Sequence, residues 1–429
     1  MIDPLILARG VHFVAAVLAA GTISFIVLVA DPAGRAISGV ASPRDYLVLR
    51  RRLIRLIWLA LAVAILSGAI WLLQVAADIL GKSLTDVCCH GGVWPVLFGT
   101  RFGEVAGVRF VLALLLGVLI CWPAARMLQL VAGAGLIGLL AITGHAGATP
   151  GLMGTIHLAA DIVHVLAASA WLGSLPALAL LLAWAGHGRT PDRRAIATAA
   201  IGHFSVLGIV CVGALLASGL INSWQLLEDL GDLLTTGYGS LLSLKIGLFA
   251  AMVAIAAVNR QNLAPLLPAA ETIGTLKRNS LAEAALGLGV LLLAAALGAM
   301  QPPIHLHISS AGVVPPDAAF VHIHIEAVMA DVTIDPGQTG KSSALIRLWR
   351  EDSTNFSALH VKLALDPQAA TSKTVERVAI LMPDGTWQVP GLDIPSPGIW
   401  LVRVTIDSSA TEPIVLDAPI VITRCSNEC

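Results

Sequence analysis

Residues 143–175, TGHAGATPGLMGTIHLAADIVHVLAASAWLGSL, set His145, His157, Asp161 and His164 in or beside an apolar stretch of membrane-spanning length. His157, Asp161 and His164 are spaced i, i+4, i+7, which puts all three on one face of a helix. Ionisable groups at membrane depth are costly and mark a bundle interior or a water-filled path. Imidazole binds transition metals, and a carboxylate beside it orients the ring or relays a proton; both roles stay open for Asp161. Met153, in the short connection between His145 and His157, offers a thioether suited to reduced copper. The chemistry to expect here is capture and relay of a metal ion.

Such residues need a membrane bundle to hold them. The chain is 57% hydrophobic and 12% charged, the composition of an integral membrane protein in a lipid bilayer. Its net charge of -1 gives no basis for nucleic-acid binding. Apolar segments at 5–30, 53–76, 105–122, 128–146, 155–184, 196–222, 240–258 and 280–300 predict a polytopic α-helical membrane protein of about eight transmembrane helices. The fifth is long enough to tilt or project beyond the bilayer. Arg35, Arg44, Arg50, Arg51 and Arg52 follow the first segment, Arg126 the third, Arg189, Arg193 and Arg194 the fifth, and Arg260, Lys277 and Arg278 the seventh. By the positive-inside rule both termini lie outside the cytoplasm. No cleavable leader is expected, and no short tandem repeat is visible.

This orientation makes the histidines directional. His12 lies about two turns into the first segment from outside. His145 and His157 sit at the outer side, with His164 about 10 Å deeper than His157 at 1.5 Å per residue. Single histidines also cap helices or hydrogen-bond within a bundle, and His203 is read that way. Glu104, Arg109 and Lys245 are expected to reach an interface with their charged ends. Lys245 and Glu283 are also candidates, with Asp161, for supporting a ligand or relaying protons.

At Gln301-Pro302-Pro303 the pattern changes. Alternating runs at 321–327, 343–349, 359–365, 375–382 and 400–406 are separated by Asp335-Pro336-Gly337 and Pro383-Asp384-Gly385, among other turns. They predict a C-terminal β-sandwich of Ig-like size. The expected division is a membrane domain over 1–300 and an extracytoplasmic domain over 301–429. His305 and His307, then His322 and His324, form two His-x-His pairs, and in a strand residues two apart share a face. Each pair starts a copper or zinc site, with Met329 as a soft addition. Cys88 and Cys89 fall in an outer loop beside His90, and Cys425 and Cys429 end the chain. A disulfide within or between these pairs, or a thiolate–imidazole metal site at Cys88, Cys89 and His90, would fit.

With these residues in hand, the chain resembles the copper resistance protein D family (CopD/PcoD). The matching pieces are Arg9-Gly-Val-His12, Thr100-Arg-Phe-Gly103 followed by Arg109, Gly144-His145-Ala146, and His157 through Trp171-Leu-Gly173. Ser218-Gly-Leu-Ile-Asn222, Tyr238-Gly239 with Lys245, Asn259-Arg260 and Glu283 complete the likeness, which covers the membrane region. The tail looks like a periplasmic extension found on some members. The resemblance implies copper transport or homeostasis at a bacterial inner membrane, often beside a periplasmic copper-binding protein, with roles for His12, His145, His157 and His164. With only seven methionines, imidazole ligands are favoured over thioethers for Cu(I) or Cu(II). The expectation is a transporter and not an enzyme, since no P-loop or phosphorylated-aspartate motif of an ATP-driven pump is present. Two alternatives are a b-type haem membrane protein that passes electrons or reduces copper, and a non-transporting copper-delivery or sensing protein.

Overall fold

The computed structural model describes residues 4–36, 43–80, 82–89, 92–143, 151–186, 191–227, 231–300, 315, 317–325, 328–350, 355–367, 373–408 and 413–424. They fall into two compact units, Met1–Ile304 and His305–Cys429.

The first unit is helical. Helix α1 (Pro4–Phe25) continues through a π-helical turn at Ile26–Ala30 into α2 (Asp31–Ala36). Then come α3 (Pro43–Leu80), the short α4 (Leu84–Cys89) and α5 (Val93–Gly99), α6 (Arg101–Ile120) and α7 (Arg126–Ile142). Next are α8 (Gly151–Leu172), α9 (Leu175–Gly186), α10 (Pro191–Leu226), the short α11 (Asp232–Thr235), α12 (Gly237–Val258) and α13 (Ala270–Leu297). Among the described residues seven helical runs are long and apolar enough to cross a membrane. The remaining expected segment is α7, an apolar helix of 17 residues. In the best apolar window of Pro4–Ala36, 72% of residues are buried, against 6% for Gly237–Leu266, so α1 is the bundle's centre and α12 its rim.

The fifth expected segment is not one straight helix: it breaks at Gly173-Ser174 into α8 and α9. The cause is contact with α1. A Cβ on Gly173 would lie 2.1 Å from the Val17 carbonyl oxygen, and one on Gly21 would lie 2.4 Å from the Ser169 carbonyl oxygen. Only glycine lets the two backbones meet this closely. The Ser174 hydroxyl lies within hydrogen-bonding distance of the Gly21 carbonyl at 2.9 Å and the Ala170 carbonyl at 2.6 Å.

That crossing is one part of a wider internal correspondence. Arg9, His12, Val17, Gly21 and Thr22 of α1 match Asp161, His164, Ser169, Gly173 and Ser174 of α8 and the turn after it, at one constant offset. Ser67-Gly68 of α3 recurs as Ser218-Gly219 of α10. Each serine hydroxyl contacts the carbonyl four residues back at 2.6 Å. Thr100 caps α6 by accepting from the Gly103 amide at 3.0 Å, and Thr236 caps α12 by accepting from Gly239 at 2.9 Å. Arg109 and Lys245 stand at the same distance beyond these two caps. The unit is therefore two similar halves, α1–α7 and α8–α13. This repeat spans about half the membrane unit, so a search for short periods passes over it.

The second unit holds β1 (Ala319–Ile325), β2 (Val328–Asp335), β3 (Gly340–Arg350), β4 (His360–Pro367), β5 (Val375–Val378), β6 (Ile380–Leu381), β7 (Trp387–Ile394), β8 (Gly398–Asp407) and β9 (Ile414–Ile422). They form a five-stranded sheet in the order β1-β2-β3-β7-β6 and a four-stranded sheet β5-β4-β8-β9, all antiparallel. Alternate residues from both sheets, among them Val332, Ile346, Val389, Leu363, Val402 and Leu416, fill one shared core. This is the expected sandwich. The expected run at 375–382 is divided into β5 and β6, which join different sheets.

Candidate functional site

Each half of the membrane unit presents one histidine centre, buried around His12 and half-buried around His164, and the two differ in charge. In the second half α8 faces α10. His164 Nδ1 is 3.0 Å from the Ser218 hydroxyl oxygen, whose own proton goes to the Ala214 carbonyl at 2.6 Å. The imidazole is therefore the donor, and its Nε2 carries the lone pair, the tautomer a metal or proton requires. Gly219 leaves room for the ring: a Cβ there would stand 3.6 Å from it. One turn nearer the start of α8, Asn222 Nδ2 donates to Asp161 Oδ1 at 3.2 Å. Lys245 of α12 is close enough for its charge to act on both Asp161 and His164. Asp161 and Lys245 thus balance each other around His164. His157, 3% exposed, lies on the same helix toward its start.

In the first half His12 is 4% exposed and both ring nitrogens are engaged. Nδ1 donates to the Ala64 carbonyl at 2.8 Å, and Nε2 faces the Arg109 guanidinium. Gly68 admits the ring, since a Cβ there would stand 3.0 Å from it. Trp71 lies under two cations: its ring is 5.5 Å from the Arg9 guanidinium and 5.1 Å from that of Arg109. Arg9 also stacks on Phe13 at 5.3 Å. The first centre carries two positive charges where the second carries one of each sign.

These positions overturn one expectation. Arg109, only 4% exposed, does not reach an interface: the Thr100 cap sets α6 so that Arg109 points at His12. Lys245 is half-buried on α12, and its charge acts on Asp161. Glu104 is exposed, as expected, and His203 is exposed too, not packed within the bundle.

Glu283 of α13 is 2% exposed and accepts from Asn259 at 2.7 Å; Asn259 in turn accepts from Asn279 at 2.7 Å. It borders a cavity of about 360 Å³ lined also by Trp171, Phe204, Ser205 and Arg260. Met153 is exposed, near Gln225. Cys88 and Cys89 are exposed and free on α4. His90, His145, His305, His307, Cys425 and Cys429 lie outside the described residues, as does the side chain of His324.

In the sandwich, β1 pairs with β2 so that His322 is opposite Asp331 and His324 opposite Met329. His322 Nδ1 donates to Asp331 Oδ1 at 2.5 Å, the way a carboxylate orients a metal-binding imidazole. Among the described residues no three His, Cys, Asp or Glu side chains converge as a ready metal cage. Sequence reasoning missed Trp71, Asp331 and Asn279. Asp331 was the findable one, because it stands two residues beyond Met329 on the same face of a strand.

The family profile described as Copper resistance protein D-like, N-terminal domain, matches residues 1–155, and that described as Copper resistance protein D matches 198–297. "Inner membrane protein YebZ" of Escherichia coli is 35% identical over 223 residues, 51% of this chain and 73% of that protein. The chain belongs to the copper resistance protein D family. "Copper resistance protein D" of Pseudomonas syringae pv. tomato is 26% identical over 234 residues, 53% of this chain and 72% of that protein. "Copper transport protein CutJ" of Bacillus subtilis is 33% identical over 171 residues, 39% of this chain. The chain spans 29% of CutJ's length. The boundary between the two family profiles falls close to the boundary between the two halves of the bundle.

Proposed function

We propose that this protein is a copper carrier of the inner membrane, not an enzyme, that captures copper at the periplasmic face through histidines and moves it inward. The observation that carries the reading is the seam between α8 and α10. There His164 presents an unprotonated Nε2 between Asp161 and Lys245, below His157. A charge-balanced centre accepts a cation at little electrostatic cost, whereas the doubly positive His12 centre repels one. The route therefore runs through the second half, with His12 as a supporting residue, not a ligand. Met153 stands at its outer mouth, and His145, eight residues earlier in the chain, adds an imidazole to the ligand set. Asp161 exchanges protons as copper passes, and Glu283, bordering the cavity between α10, α12 and α13, is the relay toward the cytoplasm.

The arginine-rich loops support an orientation with both termini and the sandwich in the periplasm. In the sandwich His322 and His324, aligned with Asp331 and Met329, bind copper or receive it from a periplasmic copper-binding protein, and His305 and His307 extend this capacity. Copper uptake into proteoliposomes tests the route. Wild type should load copper, and the double variant His157→Ala, His164→Ala should not. Equal flux in the two would refute it.

A further inference from the structure

The two halves pose an electrostatic problem that only one of them solves within the chain. At matched positions the second half has Asp161 and Lys245 around His164, and the first has Arg9 and Arg109 around His12. The position that supplies a counter-charge in one half supplies a second cation in the other. Arg9 is 9% and Arg109 4% exposed, and the Arg109 guanidinium feels the charge of Arg9. Among the described residues neither makes an ion pair. Arg9 Nε and Arg109 Nε and Nη1 are buried without a hydrogen-bond partner.

Part of this charge is met. Arg9 lies over Phe13 and Trp71, and against Gly298 at the C-terminal end of α13, where the helix dipole is negative. Among the described residues Arg109 has the Trp71 face and the lone pair of His12. Buried charges are otherwise paired, and buried N–H groups bonded. A cavity lies beside Arg109, walled by His12, Gly68, Trp71, Phe102 and Phe110. Within it the centre of a water-sized particle has about 10 Å³ to move. That is room for one water or one monatomic anion, and none for a phosphate or carboxylate. A water would bond the guanidinium without neutralising it.

We propose that the first half holds a chloride ion on Arg109, beside His12 and Trp71. It takes the place of the carboxylate that Asp161 provides in the second half. The ion ties α1, α3 and α6 together and lowers the positive potential of that centre.

The test measures equilibrium binding of ³⁶Cl⁻ to the purified full chain, and its unfolding midpoint as chloride replaces gluconate at constant ionic strength. Wild type should bind one chloride per chain, and its midpoint should rise saturably, with bromide substituting. Arg109→Gln should lose both effects. Arg9→Asp, which installs the second half's own arrangement, should fold without chloride and show at least a tenfold loss of affinity. No bound chloride in wild type, or unchanged affinity in Arg9→Asp, overturns the proposal, and neither result depends on Arg109→Gln folding.

Discussion

Removing one charge of the Asp161–Lys245 pair should strand the other inside the bundle, and a double-mutant cycle measures the cost. At 4 Å and an effective dielectric near 20, opposite unit charges attract by about 4 kcal/mol. Asp161 and Lys245 make no ion pair within 4.0 Å but act on each other electrostatically, so their attraction lies below that bound. A value of about 2 kcal/mol is expected, comparable to measured couplings between interacting neighbours. Asp161→Asn and Lys245→Met should each destabilise by roughly that amount. The double variant should recover most of it, because it leaves no unpaired charge. The readout is reversible unfolding in mixed detergent micelles, followed by tryptophan fluorescence. Copper flux separates stability from function: the double variant should be folded and still fail to transport, because Asp161 is then missing from the path. Strictly additive losses, with a coupling under about 0.5 kcal/mol, would show that the charges do not sense each other and would end the charge-balance argument.

Three further outcomes follow from the same geometry. Cys88 and Cys89, exposed on α4, should react with a membrane-impermeant maleimide in intact spheroplasts, and Cys121 at the opposite end of α6 only after permeabilisation; the reverse pattern would invert the orientation. In the turn before β7, Thr386 donates to Asp384 through its hydroxyl at 2.7 Å and its amide at 3.0 Å, holding that carboxyl below the usual range. A lowered folded value means the contribution is present above the ordinary Asp value near 4 and fades as pH falls through the folded one. The protection factors of amides around the turn, taken against their intrinsic exchange rates, should therefore fall below about pH 4 in wild type, and Asp384→Ala should flatten the response. Purified, haem-replete protein should show no Soret band, and a b-type spectrum would replace the carrier reading with electron transfer.

Local pattern determined much of this protein. Uninterrupted apolar length dictates helices in a bilayer, alternation after residue 303 dictates strands, and the i, i+4, i+7 spacing puts His157, Asp161 and His164 on one side of α8. None of these needs a distant partner to be read. What the local pattern could not decide is which neighbour each polar group meets. Arg109 looks like a residue that reaches for an interface; burial against His12 assigns it to the interior. His12 and His164 look alike in the chain. Tertiary contacts separate them, because Arg109 occupies the lone pair of one and the Ser218 bond leaves that of the other exposed to a ligand. Pairing across helices is a long-range choice, set by packing around the Gly21–Gly173 crossing, and only the folded bundle makes it.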